Sequence, residues 1–122
     1  MYEITTESHF CAAHRLNNYN GPCENLHGHN WLVKATVAGE NLDKSGIVID
    51  FKVLKRKLND ILDELDHRNL NDIFDRQNQS PSSEFIARYI YQKLKESINS
   101  ADVRVSRVEV QETPGNSAVY YE

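Results

Sequence analysis

His27-Gly28-His29-Asn30-Trp31-Leu32-Val33-Lys34-Ala35-Thr36-Val37-Ala38 alternates with a period of two. His27, His29, Trp31, Val33, Ala35 and Val37 fall on one side of an extended chain, which predicts a strand with one apolar face. The two histidines open that strand on the same face, roughly 7 Å apart along it. Their imidazoles can converge on one ion.

Upstream, residues 2–13 are rich in β-formers, with Ile4, Phe10 and Ala12 on one parity, and predict a first strand. His14 ends it and offers a third imidazole. Between the strands, Asn17, Asn18, Asn20, Gly21, Pro22 and Asn25 compose a loop. Downstream, Gly39 to Gly46 is a turn region. Asp50 then stands as an N-cap before Phe51, Leu54, Leu58, Ile61, Leu62 and Leu65 at helical spacing. Residues 68–79 are polar and irregular, anchored by Leu70, Ile73 and Phe74. Ser80-Pro81 predicts a second helix with Pro81 at its first position, Glu84 in its first turn, and Ile86, Ile90, Leu94 and Ile98 on one face.

Val103 and Val105 share one parity and Val108 and Val110 the other, so a bulge near Ser106 is expected. Pro114-Gly115-Asn116 is a turn before a closing strand over 118–121. The order strand, strand, helix, helix, strand, strand predicts an antiparallel α+β domain spanning 1–122. A length of 122 residues fits one domain.

Net charge is -4, and no run of Lys or Arg occurs. Nucleic acid and anionic membranes are therefore disfavoured partners, since both need a basic footprint. No apolar stretch approaches the ~20 residues of a membrane span. The first residues show no signal-peptide core, so a cytoplasmic protein is expected, with Cys11 and Cys23 as separate thiols. The mean hydropathy of -0.63 leaves little core for the chain's size, which suggests apolar surface shared between subunits.

Three nitrogens with one open position form a catalytic zinc pattern. His14, His27 and His29 are the candidate ligands, and Gly28 leaves room between two of them. Cys23 could close the site as a fourth ligand. Alternatively, a nearby cation would lower its thiol pKa and make it a base. Asp66-His67 after the first helix pairs a carboxylate with an imidazole and could partner Cys23. Glu112, at a strand end, could accept two hydrogen bonds from an amidine-like edge. Cys11 reads as packing and His9 as strand decoration.

These pieces together resemble the 6-pyruvoyltetrahydropterin synthase / 6-carboxytetrahydropterin synthase family. The motifs are Phe10-Cys11-Ala12-Ala13-His14-Arg15-Leu16, Cys23-Glu24-Asn25-Leu26-His27-Gly28-His29-Asn30, Gly46-Ile47-Val48-Ile49-Asp50-Phe51 with Leu54-Lys55, Leu65-Asp66-His67-Arg68-Asn69-Leu70-Asn71, Pro81-Ser82-Ser83-Glu84 and Glu112-Thr113-Pro114. The resemblance implies a tunnelling fold: a four-stranded antiparallel sheet, ββααββ in order, with two helices on one face. It implies barrels of trimers stacked as hexamers, with sites between subunits.

By position, His14, His27 and His29 match the family's zinc ligands and Cys23 its general base. His67, beside Asp66, matches its relay histidine. Glu112 matches an acid that anchors the pterin and joins the relay. Ser82 and Glu84 match positions that help hold the pterin, although relatives often carry Thr at the former. The implied reaction converts 7,8-dihydroneopterin triphosphate to 6-carboxytetrahydropterin, acetaldehyde and triphosphate. Three residues between Cys23 and His27 resemble the short bacterial, queuosine-pathway form. Glu24 beside Cys23 also fits cleavage to 6-hydroxymethyldihydropterin for folate. Pyruvoyl formation and a non-catalytic, zinc-stabilised pterin-binding module are further alternatives. Arg15 and Lys34 are the nearest candidate cations for the triphosphate.

Overall fold

The alternating segment becomes the middle strand of a sheet ordered β3-β1-β2-β4-β5. A computed structural model describes residues 1–21 and 25–122. Its elements are β1 (Tyr2–His14), β2 (His27–Gly39), α1 (Phe51–Asp63), β3 (Arg68–Asn69), α2 (Asn71–Phe74), a 3-10 turn (Asp75–Gln77), α3 (Ser83–Ile98), β4 (Val103–Thr113) and β5 (Asn116–Tyr120).

The expected four-stranded antiparallel sheet with two helices is corrected in two places. Among the described residues the sheet has five strands, and β3 runs parallel to β1, pairing Ala12 with Arg68 and Ala13 with Asn69. A third helix, the single turn α2, follows it. A two-residue strand carries no period. It forms because the chain leaving α1 returns along the free edge of β1. There His67 N–H donates to the Cys11 carbonyl at 2.6 Å and Leu70 N–H to that of Ala13 at 2.8 Å. Leu70 and Phe74 then anchor the segment in the core.

Trp31, Val33, Ala35 and Val37 are fully buried, as their shared parity requires. Phe10 and Ala12 of β1 and Val105, Val108 and Val110 of β4 continue that layer, and α1 and α3 cover it. The parity change along β4 occurs opposite Thr36/Val37, where Ser106 is the extra residue, as the valine pattern anticipates. The opposite face stays open and polar, with Glu3, Thr5, Glu7 and His9 exposed. Cys11 lies on that face too. It is exposed and donates to Asn30 Oδ1 at 3.0 Å, so the packing role expected for it is wrong.

Asp50 caps α1 by accepting from Lys52 N–H at 2.7 Å. The second long helix starts later than expected. Ser82, not Pro81, precedes its first turn, and its Oγ accepts from Phe85 N–H at 3.2 Å. Pro81 is buried outside the helix, where its carbonyl has another partner. Gly39 is required by close approach, since a Cβ there would lie 2.7 Å from Val48 Cγ1 and 3.0 Å from the Asp102 carbonyl.

Candidate metal centre

The β1–β2 register sets His14 directly opposite His27, and Ala12 opposite His29. His14, His27 and His29 therefore share the helix-covered face at one end of the sheet. Their ring centroids lie 4.6 Å (His14–His27), 4.7 Å (His27–His29) and 5.3 Å (His14–His29) apart. Glu112 joins them from β4, on the parity of Val108 and Val110. The donor atoms of all four residues lie within 4.8 Å of one another, a group that could hold a metal ion. Trp31 forms the floor, meeting the His14 and His29 rings edge-on. Its own Nε1–H donates to the Ala12 carbonyl at 3.2 Å.

Two backbone carbonyls fix the imidazole tautomers. His14 Nδ1 lies 2.7 Å from the Pro81 carbonyl, and His27 Nδ1 lies 2.7 Å from that of Asn25. A carbonyl only accepts, so each Nδ1 donates to it, and Nε2 is the nitrogen left to face an ion. Nε2 of His14 and of His29 is buried and faces Glu112 Oε1, at 2.8 Å and 3.2 Å respectively. Burial is the largest influence on His29 and lowers its pKa; Glu112 opposes it, and the other two histidines reinforce it. Buried imidazole nitrogens turned to one point, with one carboxylate beside them, suit an N/O-liganded ion such as zinc.

A cavity of about 270 Å³ opens beside His14 and Glu112 and is also lined by Ser82, Ser83 and Glu84 at the start of α3. Ser82 and Glu84 are thus brought to the metal group. Asp66 and His67 are not. They meet each other, with His67 Nδ1 2.9 Å from Asp66 Oδ2. The Asp66 carboxyl is held below its ordinary pKa, first by the Cys11 N–H and then by His67. His67 adopts φ 56° and is 81% exposed. It lines a separate shallow cleft with Gly28, His29 and Asn69. Cys23 and Glu24 lie outside the described residues. Arg15 lines a further cleft with Asn17, Asn20 and Asn25, whereas Lys34 pairs with Glu109 at 3.8 Å.

Two supporting residues carried no signal of their own in the sequence. Pro81 reads there as a helix starter. Asn71 is buried, and its side chain accepts from Arg15 N–H at 2.8 Å and donates to the Arg15 carbonyl at 3.1 Å. It clamps the residue after His14.

A helix-backed sheet that gathers three imidazoles and a carboxylate at one end defines an α+β protein with a group that could hold a metal ion. The sequence model described as "6-pyruvoyl tetrahydropterin synthase" matches residues 3–122, and the chain belongs to that family. It is 38% identical to a Synechocystis protein named 6-carboxy-5,6,7,8-tetrahydropterin synthase, covering 99% of this chain and 94% of that protein. It is also 38% identical to the dihydroneopterin monophosphate aldolase of Pyrococcus furiosus, over 89% of this chain and 88% of the relative. The solved 6-pyruvoyl tetrahydropterin synthase of Caenorhabditis elegans superposes with a TM-score of 0.83 at 33% identity, covering 100% of this chain and 97% of that one.

Proposed function

We propose that the chain, as one domain, is a zinc-dependent 6-carboxy-5,6,7,8-tetrahydropterin synthase acting in the cytoplasm in queuosine biosynthesis. Its substrate on this reading is 7,8-dihydroneopterin triphosphate. The products are 6-carboxytetrahydropterin, acetaldehyde and triphosphate, with water supplying the second carboxyl oxygen. The observation that carries the reading is the convergence of His14, His27 and His29 beside a cavity that Ser82, Glu84 and Glu112 also line. The Synechocystis relative's name supports the choice of product.

When bound, zinc supplies Lewis-acid polarisation of side-chain hydroxyls. His14, His27 and His29 hold it, in tautomers set by backbone carbonyls where Pro81 and Asn25 reach them. Glu112, Ser82 and Glu84 bind the pterin. Cys23 thiolate takes a proton from the substrate side chain, and His67, polarised by Asp66, passes it on. High exposure of His67, away from the metal group, fits a role completed in a neighbouring subunit's site. An oligomeric barrel, trimers stacked as hexamers, would supply that arrangement.

The test is incubation of the purified protein with 7,8-dihydroneopterin triphosphate and mass analysis of the products. Acetaldehyde with a carboxypterin is expected. A pyruvoyl product, or cleavage to a hydroxymethylpterin, overturns the assignment of product. The Pyrococcus furiosus relative's name and the tandem Cys23-Glu24 favour hydroxymethylpterin formation as the second reading.

A further inference from the structure

A triphosphate chain carries several negative charges, and phosphate sites meet them with arginine, lysine and N–H donors. Arg15 lines a cleft of about 730 Å³ with Tyr19 and four asparagines, Asn17, Asn18, Asn20 and Asn25. Among the described residues, no carboxylate borders that cleft, and Arg15 is its one charged group. Arg15 is exposed and makes no ion pair among those residues. A guanidinium grips phosphate oxygens two at a time, and the amides around it add neutral N–H donors.

Leu16 lines this cleft and also the cavity that Ser82, Glu84 and Glu112 border, so the two spaces lie on either side of one residue. A ligand with its ring in that cavity passes His14 and carries its tail over Leu16 to Arg15. The loop is held in place for such a tail. Asn71 accepts from the Arg15 N–H at 2.8 Å and donates to the Arg15 carbonyl at 3.1 Å. Asn17 donates its backbone N–H to Ser80 Oγ at 3.1 Å and its Nδ2 to Asp75 Oδ1 at 3.0 Å. Asp75, an acid that touches this loop, is thus engaged by an amide. Lys34 is placed differently. It stands opposite Glu7 on β1 and Glu109 on β4, and it pairs with Glu109 at 3.8 Å. Arg68 lines the separate cleft with His67.

We propose that the cleft at Arg15 is a phosphate subsite, in which the Arg15 guanidinium binds the triphosphate chain of the pterin substrate. The inference rests on the reaction proposed above and names where the anionic half of its substrate binds. The cavity at Ser82, Glu84 and Glu112 selects the ring. Arg15 adds selection for the phosphorylated compound over the bare alcohol.

The experiment titrates inorganic triphosphate by calorimetry into the zinc-loaded full chain and into Arg15→Ala, Arg15→Lys and Lys34→Ala. Circular dichroism and zinc content are recorded for each, so that neither misfolding nor chelation is read as a binding effect. Turnover of 7,8-dihydroneopterin triphosphate and binding of unphosphorylated 7,8-dihydroneopterin are measured on the same proteins. Arg15→Ala should bind triphosphate at least ~10-fold more weakly, the effect of losing one charge-assisted hydrogen bond. The KM for the triphosphorylated substrate should rise by a similar factor. Affinity for 7,8-dihydroneopterin should be kept, and Arg15→Lys should recover part of the triphosphate binding. Unchanged triphosphate affinity in Arg15→Ala, or an equal loss in Lys34→Ala, overturns the inference. An equal fall in 7,8-dihydroneopterin affinity also overturns it, as a general disturbance of the loop. Absence of triphosphate binding by the unsubstituted protein overturns it whatever the turnover. Triphosphate binding that depends on Arg15, in a protein that does not turn over the pterin triphosphate, upholds the phosphate subsite and overturns the proposed reaction.

Discussion

Pro81 and Asn25 give the metal centre only a carbonyl oxygen each, yet those oxygens determine which nitrogen of His14 and His27 is free. The three histidines were legible in the sequence because two share a strand face and the third ends the neighbouring strand. Glu112 was legible only as an acid at a strand end, and nothing in its surroundings indicated contact with His14. Trp31 is the one tryptophan in the chain and touches two of the candidate ligands. Adding zinc to metal-free protein should change its fluorescence, and His14→Ala should abolish the change. Asp66 gives a prediction in pH. Its folded pKa lies below the ordinary 3.8, with the Cys11 N–H as the first cause. The group therefore contributes stability in full above that ordinary value and loses it as pH falls through the lowered one. Asp66→Asn should flatten the loss of stability below about pH 4, as followed by urea unfolding at several pH values.

At the scale of elements, α1 was legible to its cap because Asp50 precedes an unbroken apolar period. The start of α3 was displaced because two signals overlap: Pro81 suits a first turn, but Ser82 has the hydroxyl that reaches Phe85 N–H. Ser82→Ala should cost ~1 kcal/mol of stability in denaturant unfolding. Asn71 joins α2 to the end of β1 through two hydrogen bonds to the backbone of Arg15. Asn71→Ala leaves those backbone groups without their partner and should destabilise by ~1–3 kcal/mol. Because Arg15 follows His14, zinc affinity should fall as well, and a chelator competition checks this. The β3 strand was not legible, since two residues held by an edge leave no pattern.

For the whole molecule, the edges of the sheet carry the consequence. Cys11 N–H and carbonyl point outward, toward Asp66 and His67. By alternation, the backbone groups of Glu3, Thr5, Glu7 and His9 point to the same edge, where β3 pairs only with Ala12 and Ala13. Such an edge accepts another strand, and a second copy of the chain would cover it in the proposed barrel. Glu7→Pro removes one outward N–H and no bond of the β1–β2 ladder. It should shift light-scattering mass toward smaller species while far-ultraviolet circular dichroism is kept. An unchanged mass would mean that assembly does not use this edge. Among the described residues, no helix is long and apolar enough to cross a membrane.

The residues alone determined the order of the long elements, the face each buries, the bulge at Ser106 and the three candidate imidazoles, because period and cap chemistry are local. Only the tertiary structure decided that Glu112 faces the histidines while His67 stands apart. It also decided that β3 lines the β1 edge and that Pro81 and Asn71 hold the end of β1. Those relations depend on register and on the path of the returning chain, and they join residues up to 98 positions apart, His14 to Glu112. No local pattern records contacts of that range.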